Sequence, residues 1–466
     1  MIVELSKEAR WKAIEENCWF PGVEGSMANI LRTRDWPIFP EGHGVYLRDS
    51  AGKEYIDATS GYYCVNLGYG NGKLIKAMKE QLEKIQYAGV GHSDTAIRLC
   101  QRIAEVTPGD LKRVYLGMGG SDAIEAALAI ARGYYRSQGK PNSMVITTWQ
   151  TYHGATLEAQ ALTTVNAPRA PRGTHGRELA DVIRGVYPIF PPDCYRCGYG
   201  LEYPSCGLRC AKILDTVIRS MGAHNVMAFL AAPIAQPLNV VVPPDEYWPM
   251  IRQICDKHGV LLIQDEVINA WGRTGALFAG NHWNVVPDIM VTGKGLTSGY
   301  VPLSGVLVGD HVYQAFNGHV MPYYGHTYSF DVLGCACALA SIDVVMEEKL
   351  WENATKVGGH IKTRLEEVAK QSNIIDAVNG KGLLIGLEIV EDRESKVPSP
   401  ATREIIRKKC EENGVYAAHE FVLAPPLIMS MDEADWMCDV IVQAIKEAEM
   451  TKGLKRVFKT KRMLRK

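Results

Sequence analysis

Three groups of residues have the types and spacing for one kind of chemistry. Lys294 stands between Gly293 and Gly295, just after the apolar run DIMVTG. A surface lysine in a turn needs no such clearance, although a lone GKG also occurs in ordinary turns. A lysine that attacks a carbonyl does need room around its amine, and a lowered pKa. Lys294 follows Asp265 by 29 residues, and Asp265 and Glu266 close the apolar segment VLLIQDEV. Acids at the C-terminal end of a parallel strand lie where such sheets bind ligands. A carboxylate there can hold a protonated ring nitrogen or a metal, or it can cap a helix. GMGGSDAIEAAL places Gly117, Gly119 and Gly120 before a helix, with Ser121 and Asp122 at its N-cap. Glycines let the backbone come close, and free N–H groups at a helix start favour an anion. Taken alone, the same stretch also reads as a glycine turn with a Ser cap.

Together these groups supply a phosphate cradle, an acid for a ring nitrogen and a lysine for an aldehyde. Those are the three handles of pyridoxal phosphate. The elements around them have the rhythm such a site needs. KRVYLGMG leads into SDAIEAALAIARGYYRSQG, SMVITTW into a loop with YHG, and YWPMIRQICDKHG into VLLIQDEV. NVMAFLAAPI, DIMVTGK and LSGVLVGD read as further strands. Strands alternating with helices predict an α/β fold with a mostly parallel, doubly wound sheet. Upstream, GHGVYLRDSAGKEYIDATSG predicts two strands around a turn at Asp49 to Gly52, and residues 8 to 33 look helical. KLIKAMKEQLEKIQ and DTAIRLCQRIAEVT have apolar residues at helical spacing. After about residue 335 one long helical stretch precedes a smaller α+β region. The expected division is 1–60 as an N-terminal segment packing with the small domain, 61–334 as the large cofactor-binding domain, and 335–466 as the small domain. Residues 190–212 form a cysteine-rich insertion in the large domain.

The sequence resembles the class III pyridoxal phosphate-dependent aminotransferases of fold type I. The likeness rests on GVYLRDSAGKEYIDATSGYYCVNLGYG, GGSDAIEAAL, TYHGATL, DEVINAWGRTG, DIMVTGKGLTSGYVPLSGVLV, HTYSFDVLGCACALA and APPL. It implies a homodimer with active sites at the subunit interface; dimer and tetramer both stay open. By this resemblance Lys294 forms the Schiff base and shuttles the substrate proton, and Asp265 keeps the ring nitrogen protonated. Val267 would pack on one ring face and Tyr152 on the other. Gly120 and Ser121 would hold the phosphate, with Thr327 reaching it from the other subunit. Tyr63 would wall the substrate pocket. The two glycines beside Lys294 would clear space for the cofactor.

The pattern departs from the family in places. Many members carry a Glu–Arg pair that lets one site accept two substrates. Ala232 and Val422 stand at those positions here. A buried charge left alone would be costly, so losing both is physically coherent. The departure argues for pyruvate over 2-oxoglutarate as acceptor. His419 and Glu420 lie near the same segment. Gly119 and Asp122 replace the Ser and Glu usual in SGSE, two mild changes that should leave the phosphate site intact.

PPDCYRCGYGLEYPSCGLRC holds Cys194, Cys197, Cys206 and Cys210, spaced C-x2-C-x8-C-x3-C. Four thiols this close suggest a metal. Zinc takes four thiolates in a closed tetrahedron, and an iron–sulfur cluster also takes four cysteines. Arg196 and Arg209 could offset the thiolate charge. Thiols without metal remain the third alternative.

Composition narrows the classes. Of 466 residues, 47% are hydrophobic and 22% charged, as in a globular protein, and the net charge of -1 gives no field to draw in nucleic acid or an anionic membrane. The basic end, KGLKRVFKTKRMLRK, reads as a solvated tail or final helix. No stretch has the length of a membrane span, and the start lacks the apolar core of a signal peptide, so a cytoplasmic location is expected. Partners are then small molecules, an amine or ω-amino acid and a 2-oxo acid. A racemase, epimerase or aminomutase on the same scaffold is the alternative. A metal-bearing sensor with a degenerate site conflicts with intact Lys294 and Asp265.

Overall fold

The structure, a computed structural model, describes residues 5–18, 37–164, 185–317, 324–417 and 421–463. Its first strands follow from GHGVYLRDSAGKEYID. Strands β1 (Glu41–His43), β2 (Tyr46–Arg48) and β3 (Glu54–Asp57) pair antiparallel in succession. Asp49 fixes the turn between β2 and β3, its Oδ1 accepting from the N–H groups of Ala51 at 2.8 Å and Lys53 at 3.0 Å. Two amphipathic helices follow, Gly72–Lys84 and Asp94–Val106, each begun by a side chain, Asn71 or Ser93, that accepts from the first turn.

The central sheet has seven strands: β4 (Leu111–Gly117), β5 (Met144–Thr148), β6 (Val186–Ile189), β7 (Val226–Ala231), β8 (Leu261–Asp265), β9 (Ile289–Thr292) and β10 (Ser304–Gly309). Their order is β4-β10-β9-β8-β7-β5-β6. All neighbours are parallel except β10, which runs against both β4 and β9. Strands β7 to β10 are buried along their whole length, as a sheet covered on both faces requires. Parallel alignment brings the C-terminal ends of β8 and β9 side by side, and those ends carry Asp265 and Lys294.

The rest of the chain forms β11 (Ile375–Gly380), β12 (Ile385–Ile389), β13 (Val415–Tyr416) and β14 (Val422–Leu423), with helices Pro400–Glu412 and Met431–Met463. Strands β11, β12 and β14 make one antiparallel sheet, while β13 joins β3 in parallel. Val45 and Ile56 therefore share one core with Val378, Ile385, Leu423 and Ile441.

Some elements differ from the sequence pattern. The long helical stretch after residue 331 is two helices, Val332–Glu347 and Leu350–Gln371, broken where Lys349 adopts a left-handed φ of 46°. The first of them serves two cores: Cys335, Ala338 and Ile342 pack with Leu99 and Leu307, while Val344 and Val345 pack with Ile361 and Leu365. Strands β1, β6 and β11 and the helix Arg209–Met221 were not anticipated. Among the described residues, no helix is long and apolar enough to cross a membrane.

Candidate active site

Asp265 ends β8 with both oxygens engaged. Its Oδ1 accepts from the Val267 N–H at 3.0 Å, and its Oδ2 meets His153 Nδ1 at 2.7 Å. A carboxylate only accepts, so His153 carries its proton on Nδ1 and presents Nε2 to Thr151 Oγ1 at 3.2 Å. Both side chains are buried. The neighbouring acid points elsewhere. Glu266 is fully buried and accepts from the N–H groups of Ala279 and Gly280, each at 2.8 Å. Burial pushes its carboxyl up to about 7. The acid pair thus divides into one site group and one loop cap.

Lys294 follows β9 in a short turn, with a left-handed φ of 42°. Its Nζ donates to the Tyr62 carbonyl at 2.8 Å and lies 5.4 Å from the centre of the Tyr63 ring. One of the flanking glycines serves an end other than the expected one. A Cβ on Gly295 would stand 2.3 Å from Asn66 Nδ2, so that glycine makes room for Asn66. A Cβ on Gly293 would meet Val267 Cγ1 at an ordinary 3.7 Å. Space for a cofactor explains at most Gly293.

The glycine loop after β4 starts the helix Gly120–Ser137 with Gly119 as N-cap and no side-chain cap bond. Its leading N–H groups are therefore suited to an anion. Asp122, in place of Glu, accepts from the Met118 N–H at 2.7 Å through Oδ2. Its Oδ1 accepts from Tyr324 at 2.9 Å and also meets His326. Ser121 Oγ accepts from the Ala155 N–H at 3.0 Å, and a Cβ on Gly154 would stand 2.5 Å from that Oγ. Gly120 lies against Val267, where a Cβ would come within 2.9 Å of Cγ1.

Of the remaining expected residues, Tyr63 and Tyr152 lie beside Lys294 and Asp265 respectively. Tyr152 is 47% exposed, and its phenol is pushed up first by partial burial and then by the nearby Asp265 carboxylate. Tyr63 is buried, and its OH accepts from Gln236 at 2.8 Å. Thr327 is exposed, its carbonyl accepting from Tyr87 OH at 2.9 Å. His419 and Glu420 lie outside the described residues. The residues present fit pyridoxal phosphate: an amine and a carboxylate at adjacent strand ends, and an uncapped helix start beside them. Sequence reasoning missed His153, although TYHG contains it, because nothing local shows that it meets an acid on another strand.

A match along the chain decides the family: the family model described as Aminotransferase class-III covers residues 33–445. The chain belongs to the class III aminotransferases. It is similar to the putrescine–pyruvate aminotransferase of Pseudomonas aeruginosa, 31% identical over 441 residues that span 92% of this chain and 94% of that one. It is also similar to the leucine/methionine racemase of Thermococcus litoralis, 31% identical over 406 residues, 85% of this chain and 88% of the other. Among solved structures, an (S)-enantioselective ω-transaminase from Thermomicrobium roseum superposes with a TM-score of 0.88 at 32% identity, covering 96% of this chain and 99% of that one. The fold is thus fold type I, and pyridoxal phosphate is the cofactor of class III aminotransferases.

The expectation of zinc or an iron–sulfur cluster is not supported. Cys194, Cys197, Cys206 and Cys210 do line one small cavity, with Asp193, Tyr199 and Arg209. Yet among the described residues no group of three or more His, Cys, Asp or Glu side chains is placed to hold a metal ion. The four range from exposed Cys194 to buried Cys210. Burial, with Cys194 and Cys206 nearby, pushes the Cys210 thiol up to about 12. Arg196 does not offset thiolate charge either. It pairs with Glu388 at 2.6 Å, while Tyr195 OH donates to Asp376 at 2.6 Å. The insertion is fastened to β11 and β12 by the residues between its cysteines.

Proposed function

We propose that this aminotransferase moves an amino group from an amine or ω-amino acid to a 2-oxo acid, with pyruvate a better acceptor than 2-oxoglutarate. When bound, pyridoxal phosphate supplies an aldehyde for the amino group and an electron-withdrawing ring. Lys294 attaches the cofactor and moves the proton at the substrate carbon. Asp265, oriented by His153, keeps the ring nitrogen protonated. The N–H groups at Gly120 and Ser121 bind the phosphate, and Val267 and Tyr152 bracket the ring. In a homodimer, Thr327 completes the phosphate site of the partner.

The observation that carries the acceptor choice is the setting of Val422. It is 1% exposed and packs in one apolar cluster with Tyr63, Ile234, Val240 and Leu384. That wall suits a small acceptor with one carboxylate, because a second carboxylate buried there without a partner would be costly. The putrescine–pyruvate relative supports the same choice. The racemase relative supports a second reading, in which the same site inverts an amino acid.

A half-reaction tests both. The cofactor-loaded enzyme is mixed with single amines and amino acids without any oxo acid, and pyridoxamine phosphate is measured after quenching. It should accumulate with one donor. Adding pyruvate should then consume it at least about tenfold faster than 2-oxoglutarate does, which is the effect of one lost charge-pairing interaction. Equal rates would reverse the acceptor assignment. Inversion of an amino acid with no pyridoxamine phosphate would favour the racemase reading.

A further inference from the structure

One buried cation grips the segment that meets the Lys294 amine. Arg273, in the stretch GRTG, has no exposed surface. Its Nη1 donates to the carbonyls of Leu383 at 2.9 Å and Pro425 at 2.5 Å. Its Nη2 donates to Asn66 Oδ1 at 2.8 Å and to Ser60 Oγ at 3.3 Å. Ser60 and Asn66 are the two ends of one short segment. Between them lie the Tyr62 carbonyl, which accepts from Lys294 Nζ, and the Tyr63 ring, which faces it.

That segment does not hold its shape by local preference. Ser60 and Tyr63 both have positive φ, 49° and 61°. Such backbone persists only where the surroundings over-determine it. Ser60 Oγ donates to the Ala424 carbonyl at 2.7 Å, so the arginine and β14's continuation share the grip. At the other end Asn66 Nδ2 donates to the Trp271 carbonyl at 3.3 Å and fills the space that Gly295 leaves open. The contact chain runs from the guanidinium through Asn66 to the residue after Lys294.

We propose that Arg273 is a positioning residue that, by holding Ser60 and Asn66 together, sets where Tyr62 and Tyr63 meet the Lys294 amine. This rests on the reading of Lys294 as the amine that carries the cofactor. The planar fork reaches four acceptors in two directions, which a lysine ammonium on a flexible stem does not reproduce. Burial pushes the guanidinium down to about 9, against the pull of Asp57, so it remains charged at neutral pH.

The test uses the full-length holoenzyme with Arg273→Lys and Asn66→Ala. For each, kcat, KM, melting temperature and the pH midpoint of the bound cofactor's visible absorbance are measured. A displaced amine should lower kcat by about 100-fold in Arg273→Lys with KM within about threefold. The absorbance midpoint should move by about half a pH unit or more. Asn66→Ala should move both in the same direction, with kcat down about tenfold. If Arg273→Lys does not fold, Asn66→Ala decides. Variants that melt earlier but keep the wild-type kcat per loaded site and the wild-type midpoint would overturn the proposal. Borohydride reduction and peptide mapping of the wild type separate the two layers. Cofactor found on another residue sinks the reading of Lys294 and this proposal with it. Cofactor on Lys294 with unaffected variants sinks only the positioning role.

Discussion

The strand-end site and the cysteine insertion both gather residues able to bind a cofactor, and they do so in opposite ways. At the strand ends, the partners come from far apart in the chain. His153 meets Asp265 across 112 residues, and Lys294 meets Tyr62 across 232. In the insertion, four thiols lie within one loop, yet their depths differ and among the described residues no metal-holding set forms. There the useful contacts belong to Tyr195 and Arg196 instead. Convergence of separate elements makes a site; proximity in sequence makes only a candidate.

The largest expected effect falls on the first region. His153→Ala leaves Asp265 Oδ2 without its donor, a loss of about 1–3 kcal/mol, which is roughly ten- to a hundredfold in rate per loaded site. Steady-state rates normalised to bound cofactor would show it. An unchanged rate would mean that the histidine contributes packing alone, and the two regions would differ less than their geometry suggests. Arg196→Met comes next. The Glu388 side chain is 2% exposed, so its loss of a partner should cost roughly 2 kcal/mol, less than a fully buried pair because Arg196 is itself 24% exposed. Urea denaturation should show the shift while activity per folded site holds. Cys197→Ser is the smallest, with stability changed by about 0.5 kcal/mol or less and the same iron and zinc content as the wild type. A metal content that falls with this single change would restore the insertion to the rank of a metal site.

Much of the fold was legible from pattern. The runs VLLI in VLLIQDEV and IMV in DIMVTG are apolar because β8 and β9 are covered on both faces. Lys294, Asp265 and the glycine loop were legible because each lies in a short local motif. His153, Asn66 and Arg273 were not, since their meaning is set by partners such as the Arg273–Asn66 pair, 207 residues apart. The break at Lys349 and the purpose of Gly295 were hidden for the same reason. A glycine announces that space is needed, and only the fold says which neighbour fills it.

The crowding around the glycine loop after β4 has a consequence for how such an enzyme can change over generations. Gly120 is closed by Val267 and Gly154 by Ser121, at distances that leave no room for even one added carbon. Single substitutions there are blocked, whatever the benefit to a new substrate. Tyr62 and Tyr152, by contrast, are each about half exposed, and their rings can be trimmed or exchanged at little steric cost. Change in this lineage should therefore come more readily at these exposed tyrosines, while the glycine loop stays fixed as the part inherited unchanged.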